Sequence, residues 1–203
     1  MDFHFWTRLV LQPQDALLQI KPPSDLFSAI KVWAVTGFWA GLVSGLVGFL
    51  TGGFTGLSVI SFFVAILISP ILYPILYALI EGLYFLVARV LGGTGSFRDQ
   101  YYFVGLTGRI LLPLSVMFTS FHPLIGFFAA SLLGLFWLYP RTVVYRHVHG
   151  FDWFKAVLVW LLPAIVFTLL GLLLVLLFLG VVMTAVASAG ALNATATLPA
   201  ANP

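Results

Sequence analysis

Few side chains in this chain are equipped for chemistry, and Glu81 is the first to weigh. It falls within a long apolar stretch. Tyr77, four residues earlier, and Tyr84, three residues later, share its helical face, and Tyr73 continues the row. A carboxylate deep in a membrane helix costs roughly 2.5–3.5 kcal/mol on insertion scales, so such a stripe must face protein or water rather than lipid. Two readings follow. One is a small transporter or channel in which Tyr73, Tyr77, Glu81 and Tyr84 line an ion path beside helix breaks at Pro70 and Pro74. The other is a carboxylate near the interface, hydrogen-bonded by tyrosines or paired with Arg89 or Arg109. The second is preferred, because Arg89 lies only eight residues on, about 12 Å along a helix.

The other constellations are weaker. His147 and His149, with Asp152 close by, raise a metal site, but histidines at i and i+2 diverge on a helix and nothing completes a ligand set. Asp152 is expected to cap the following helix. His122, before Pro123, sits in a turn as an interfacial residue. The segment Gly92-Gly93-Thr94-Gly95-Ser96 resembles a phosphate cradle, yet no strand precedes it and no Lys-Ser/Thr pair follows. Its local reading is a left-handed helix end at Gly92 or Gly93, with Ser96 starting the next helix and Asp99 at the capping-box position. Gly92, Gly93, Gly95, Ser96, Phe97 and Arg98 remain a candidate partner-binding loop. No zinc-binding His-Glu-x-x-His, paired-aspartate site or Gly-x-Ser-x-Gly elbow is present, so the expectation is a protein that is not an enzyme and needs no cofactor.

The elements that position these residues follow from composition. Hydrophobic types make up 62% of the 203 residues and charged types 7%, too few to solvate a globular surface, so lipid is the medium. The charges are also too sparse for nucleic acid. With no cysteine, disulfides and thiolate sites are excluded. The first 31 residues carry Asp2, Asp15, Asp25 and three prolines, which argues against a cleaved signal peptide.

Five stretches reach the roughly 20 residues a crossing needs: Val32 to Leu50, Leu57 to Leu91, Tyr102 to Phe121, Leu124 to Val144, and Ala156 to Ala187. The second is too long for one straight span and predicts either a helix kinked at Pro70/Pro74 with an emergent cytoplasmic end or a span followed by an interfacial helix. All nine basic residues fall on one side of this arrangement: Arg8, Lys21 and Lys31; Arg89, Arg98 and Arg109; Arg141, Arg146 and Lys155. By the positive-inside rule that side is the cytoplasm. The fold class is therefore all-α: a five-transmembrane-helix bundle with its N-terminus cytoplasmic and its C-terminus extracytoplasmic. Residues 1–31 form a cytoplasmic amphipathic segment, 32–187 the spanning domain and 188–203 a disordered external tail, whose Asn193-Ala194-Thr195 is a sequon by pattern. Phe3 to Leu11 either lies along the headgroups or docks on the bundle, and Ser24 is expected to cap the helix feeding the first span.

Small residues predict where helices touch. Gly37, Gly41 and Gly45 recur every four residues, as do Gly126, Ala130 and Gly134. Such rows serve packing within the bundle or, as the alternative, a homo-oligomer interface.

Leu91-Gly92-Gly93-Thr94-Gly95-Ser96-Phe97 after the second span, Pro113 early in the third, and the connection from Arg141 through His149-Gly150-Phe151 to Lys155-Ala156 together resemble the Yip-domain (Ypt-interacting protein) membrane family. So does Pro13 with Ala16-Leu17 ahead of the first span. The likeness runs from about Leu11 to Ala185. It implies a five-span bundle with a cytoplasmic N-terminus and a non-enzymatic role in membrane organisation or trafficking. Members of that family contact prenylated Rab-type GTPases through a long polar N-terminal region, which this chain lacks, leaving a Rab partner doubtful. Its brevity resembles the prokaryotic branch, which implies the inner or plasma membrane. The expected partners are the bilayer itself and other membrane proteins or a second copy.

Overall fold

The computed structural model describes residues 3–53, 55–121 and 123–196. His122, with the interfacial position expected of it, and residues 197–203 of the expected tail lie outside the described residues. Seven helices follow one another: α1 (Phe3–Leu11), α2 (Pro13–Leu18), α3 (Leu26–Gly52), α4 (Gly56–Val90), α5 (Phe97–Phe121), α6 (Pro123–His149) and α7 (Trp153–Ala196). Among the described residues there is no strand. The five helices α3 to α7 are each long and apolar enough to cross a membrane, as helices must be where no water can satisfy the backbone. This is an all-α, multi-pass membrane protein.

The helix ends are written locally. Asp25 caps α3, its Oδ1 accepting from Ser28 N at 2.7 Å. Ser24, expected in that role, instead donates its hydroxyl to Asp25 Oδ2 at 3.2 Å; helix starts at Leu26, so the residue before it holds the capping geometry. Thr55 and Ser58 form a capping box at the start of α4. α4 ends at Gly92, whose φ of 89° suits glycine, with Gly93 N–H bonded to Ala88 O and Gly92 N–H to Arg89 O. That pair of bonds is a Schellman closure. Ser96 Oγ accepts from Asp99 N at 3.1 Å, and Asp152 Oδ1 from Lys155 N at 2.8 Å, as the sequence indicates.

One open alternative is decided, and two boundaries differ from expectation. The second stretch is one 35-residue helix, α4, with Pro70 and Pro74 inside it. At about 1.5 Å per residue it is some 50 Å long, more than the hydrocarbon needs. The segment Arg141 to His149 is not a loop but the end of α6, leaving Gly150 to Asp152 as the link to α7. Finally, α7 runs to Ala196, so the tail expected to be disordered from Ser188 stays helical that far. Its alanine-rich sequence favours continuation, and Asn193 to Thr195 belongs to this helix.

The chain divides into two compact units, residues 1–160 and 161–203. The second consists of the rest of α7, from the candidate span with the highest mean hydropathy of the five, 3.1. The first holds α1 to α6 and the opening of α7. Its core gathers Leu9 of α1, Leu17 of α2, Trp33 of α3, Ala88 of α4, Tyr101 and Phe103 of α5, and Val144 and Tyr145 of α6. The N-terminal helices thus dock against α5 and α6 through Leu9, Ala16 and Leu17, all buried.

The glycine row of α3 turns onto α4. A Cβ at Gly37 would overlap the Ser69 carbonyl, one at Gly41 the Ala65 carbonyl, and one at Gly45 would sit 2.9 Å from Phe62 Cδ2. Gly126 likewise abuts α5, 2.6 Å from Thr119 Cα by the same construction. This is packing inside the chain. Gly134 meets nothing within 4 Å; with Ala130 it borders a cavity of about 220 Å³.

Candidate functional site

α4 carries Tyr73, Tyr77, Glu81 and Tyr84 into the first unit rather than toward lipid. Tyr77 stacks on Trp33 of α3 with ring centroids 4.0 Å apart, and Tyr73 lies beside Tyr77 at 5.7 Å. Trp33 reaches this position because Gly105 of α5 leaves room: a Cβ there would stand 2.9 Å from the indole nitrogen. That nitrogen donates to Tyr101 O at 2.9 Å, and the Tyr101 hydroxyl donates to Pro74 O at 2.6 Å.

One turn further on, Glu81 has no solvent exposure. Its partner is neither Arg89 nor Arg109 but Arg141 of α6, whose Nη2 contacts Glu81 Oε1. Oε2 accepts from Gln100 Nε2 of α5 at 2.9 Å and from the Tyr145 hydroxyl at 3.2 Å. Arg141 Nε donates to that same hydroxyl at 2.8 Å. The guanidinium is also walled by rings, 4.3 Å from the Tyr84 centroid and 5.0 Å from that of Trp137. Gln100 Nε2 bonds the Glu81 carbonyl too, at 3.0 Å. Its Oε1 faces His149 Nε2 at 2.8 Å. A carbonyl oxygen only accepts, so the His149 proton sits on Nε2.

Three helices are therefore tied by one closed network in which every polar atom of Glu81's carboxylate is used. The charges cancel at 8% and 0% side-chain exposure, the arrangement that makes an ion pair tolerable in a low-dielectric interior. Five cavities of about 220–430 Å³ indent the unit, and Glu81 lines none of them.

The glycine loop is drawn inward as well. A Cβ at Gly93 would lie 2.7 Å from His149 Nδ1 and 2.8 Å from Phe151 Cζ, and one at Gly95 would collide with the Val148 backbone. Phe97 stacks on Tyr101 at 5.5 Å. Arg98 donates to Ser24 O at 2.9 Å and pairs with Asp99. Of the proposed partner-binding residues Gly92 is exposed, Gly93 is buried, and Gly95, Ser96, Phe97 and Arg98 are half-buried. Gly93 and Gly95 are glycine for close approach, not for a phosphate.

The role of Arg141, Tyr145 and His149 around Glu81 escaped the sequence reading, which took Arg141 as a topology-setting cation and weighed His149 only for a metal. Their spacing of four residues was the available signal: once α6 is extended past Pro140, all three share one face. Among the described residues no cluster of three metal-ligating side chains forms, and His149 is spent on Gln100. No family model matches the chain, and neither a curated protein nor a solved structure matches it.

Proposed function

We propose that this protein is a non-catalytic membrane protein of Yip type, organising the bilayer or acting as an adaptor for other membrane proteins. In this reading its N-terminus is cytoplasmic, its C-terminus lies across the membrane, and it resides in a prokaryotic inner or plasma membrane. The observation that carries the proposal is the contact between the Gly92–Phe97 loop and the α6–α7 turn. The two segments that resemble the family in sequence pack on each other, so their glycines answer one structural demand. The carboxylate that a transporter would need is consumed by Arg141, Gln100 and Tyr145, which supports a static role for the polar stripe.

Two experiments test this. In the cysteine-free chain, Thr94→Cys should label from the cytoplasm, and Thr55→Cys and Thr195→Cys from the other side. Labelling of Thr94→Cys and Thr195→Cys from one side overturns the topology. Proteoliposomes holding the purified chain should show no solute flux above empty vesicles. Flux in wild type that a folded Glu81→Gln variant loses would return the protein to the transporters.

A further inference from the structure

Two cationic or proton-bearing side chains at the end of α6 lack any polar partner, and they border one cavity. The Arg146 guanidinium makes no hydrogen bond or ion pair among the described residues, and its Nε is buried with nothing to donate to. Its flat face lies 4.4 Å over the Trp153 ring, and Trp153 stacks in turn on Tyr139, 13° between planes. His147 is held edge-to-face against Phe103 at 5.6 Å. Aromatic contacts thus fix both groups while their N–H edges stay uncommitted. The cavity, about 360 Å³, is completed by Gln14, Leu18, Val143 and Phe151 among others, and no carboxylate lines it.

We propose that this cavity holds the phosphate of an anionic membrane lipid. Arg146 supplies a planar, preorganised fork of donors; His147 and the Gln14 amide supply further N–H groups. With its Nε buried the guanidinium is only partly hydrated, and an anion against its outer nitrogens offsets that cost. Lipid is the favoured source because of position. Arg146 and His147 lie in the last turn of α6, whose candidate span ends at His149, which is headgroup depth. Apolar surface adjoins the charge: Leu18 is 74% exposed, and Val143 and Phe151 line the same wall. Basic pockets between helices at the cytoplasmic side are suited to such headgroups. The inference needs only that the protein lives in a membrane, and is independent of the Yip reading.

The test uses the full chain in detergent micelles, with bound lipid counted by native mass spectrometry as dioleoyl phosphatidic acid or dioleoyl phosphatidylcholine is titrated. Wild type should retain one phosphatidic acid and not phosphatidylcholine. Arg146→Gln should weaken retention about tenfold or more, and Lys155→Gln, an equal change of charge outside the cavity, should leave it unchanged. Because Arg146→Gln also removes the stack on Trp153, Gln14→Glu serves as a second variant. It leaves the stack in place, sets a carboxylate in the cavity, and should weaken retention as much. Wild-type retention in both variants, or equal loss in Lys155→Gln, overturns the site. Displacement of the lipid by inorganic phosphate in about hundredfold excess overturns the lipid and assigns the cavity to a free anion.

Discussion

Replacing Arg141 by methionine keeps an unbranched apolar stem while removing the charge that faces Glu81. The carboxylate retains its bonds from Gln100 at 2.9 Å and Tyr145 at 3.2 Å but loses its counter-ion in a site with no solvent exposure. Removing one partner of a buried pair costs about 3–5 kcal/mol, because the remaining charge is left uncompensated. The opposite change, Glu81→Gln, leaves Arg141 between Tyr84 and Trp137 with an amide oxygen still able to accept. Losing one charge-assisted hydrogen bond predicts a smaller cost of about 1.5–3 kcal/mol. In the double variant neither charge is stranded, so its cost should fall short of the sum of the singles by about 2 kcal/mol. Reversible unfolding in mixed detergent–SDS micelles, followed by tryptophan fluorescence and circular dichroism, measures all three. Singles that each cost under about 1 kcal/mol, or a double variant equal to their sum, would refute the buried pair. Either result would mean that water reaches both groups separately.

Three further outcomes follow from the packing and the caps. Gly41→Ala drives a methyl into the Ala65 carbonyl and to 2.8 Å from Ser69 Oγ, and should destabilise the protein by about 1–3 kcal/mol in the same unfolding assay; Gly48→Ala in the same helix meets nothing within 4 Å and should not. Gly92→Ala forces a side chain into the left-handed region at φ 89°, and should cost about 1 kcal/mol without altering the Glu81 network. Asp25 is exposed, and its bond from Ser28 N–H, aided by the Ser24 and Ser28 hydroxyls and Lys31, holds its carboxyl below the ordinary 3.8. A depressed folded value means the cap contributes above the unfolded value and fades as pH drops below it. Hydrogen exchange at the Ser28 amide should be faster in Asp25→Ala at neutral pH, with the difference starting to shrink only as pH falls below 3.8 and vanishing once the folded carboxyl itself is protonated.

The number and type of the spanning elements were legible because a membrane imposes them: five apolar runs of sufficient length left little freedom. Helix ends were legible wherever the code is local, as at Gly92, Ser96 and Asp152. The boundary of α6 was not. Pro140 and the cluster Arg141, Arg146, His147 and His149 suggested an aqueous connection, yet the helix continues because Arg141 and His149 are solvated by Glu81 and Gln100 instead of water. That solvation is tertiary, linking residues 60 positions apart, and no local pattern announces it. The acid itself was identified and its face predicted; the identities of the cation and of the Gln100, Tyr145 and His149 partners required the fold.

The same distinction explains how the first unit is assembled. In lipid, apolar surface gives helices no reason to prefer one another over acyl chains, so register must come from close backbone approach or from polar bonds. α3 and α4 use the first means, through Gly37, Gly41 and Gly45 against Ser69, Ala65 and Phe62. α4, α5 and α6 use the second, through Glu81, Gln100 and Arg141. A glycine row tolerates sliding by one repeat of four residues, since each position offers a similar groove. A carboxylate that must meet one guanidinium, one amide and one hydroxyl tolerates none: a four-residue slip of α4 would move Glu81 by about 6 Å and strand both charges in a dry interior. The ion pair therefore contributes less to net stability than to specifying a single register. That is why it sits where α4 meets two helices at once, rather than along the α3 seam that glycine already holds.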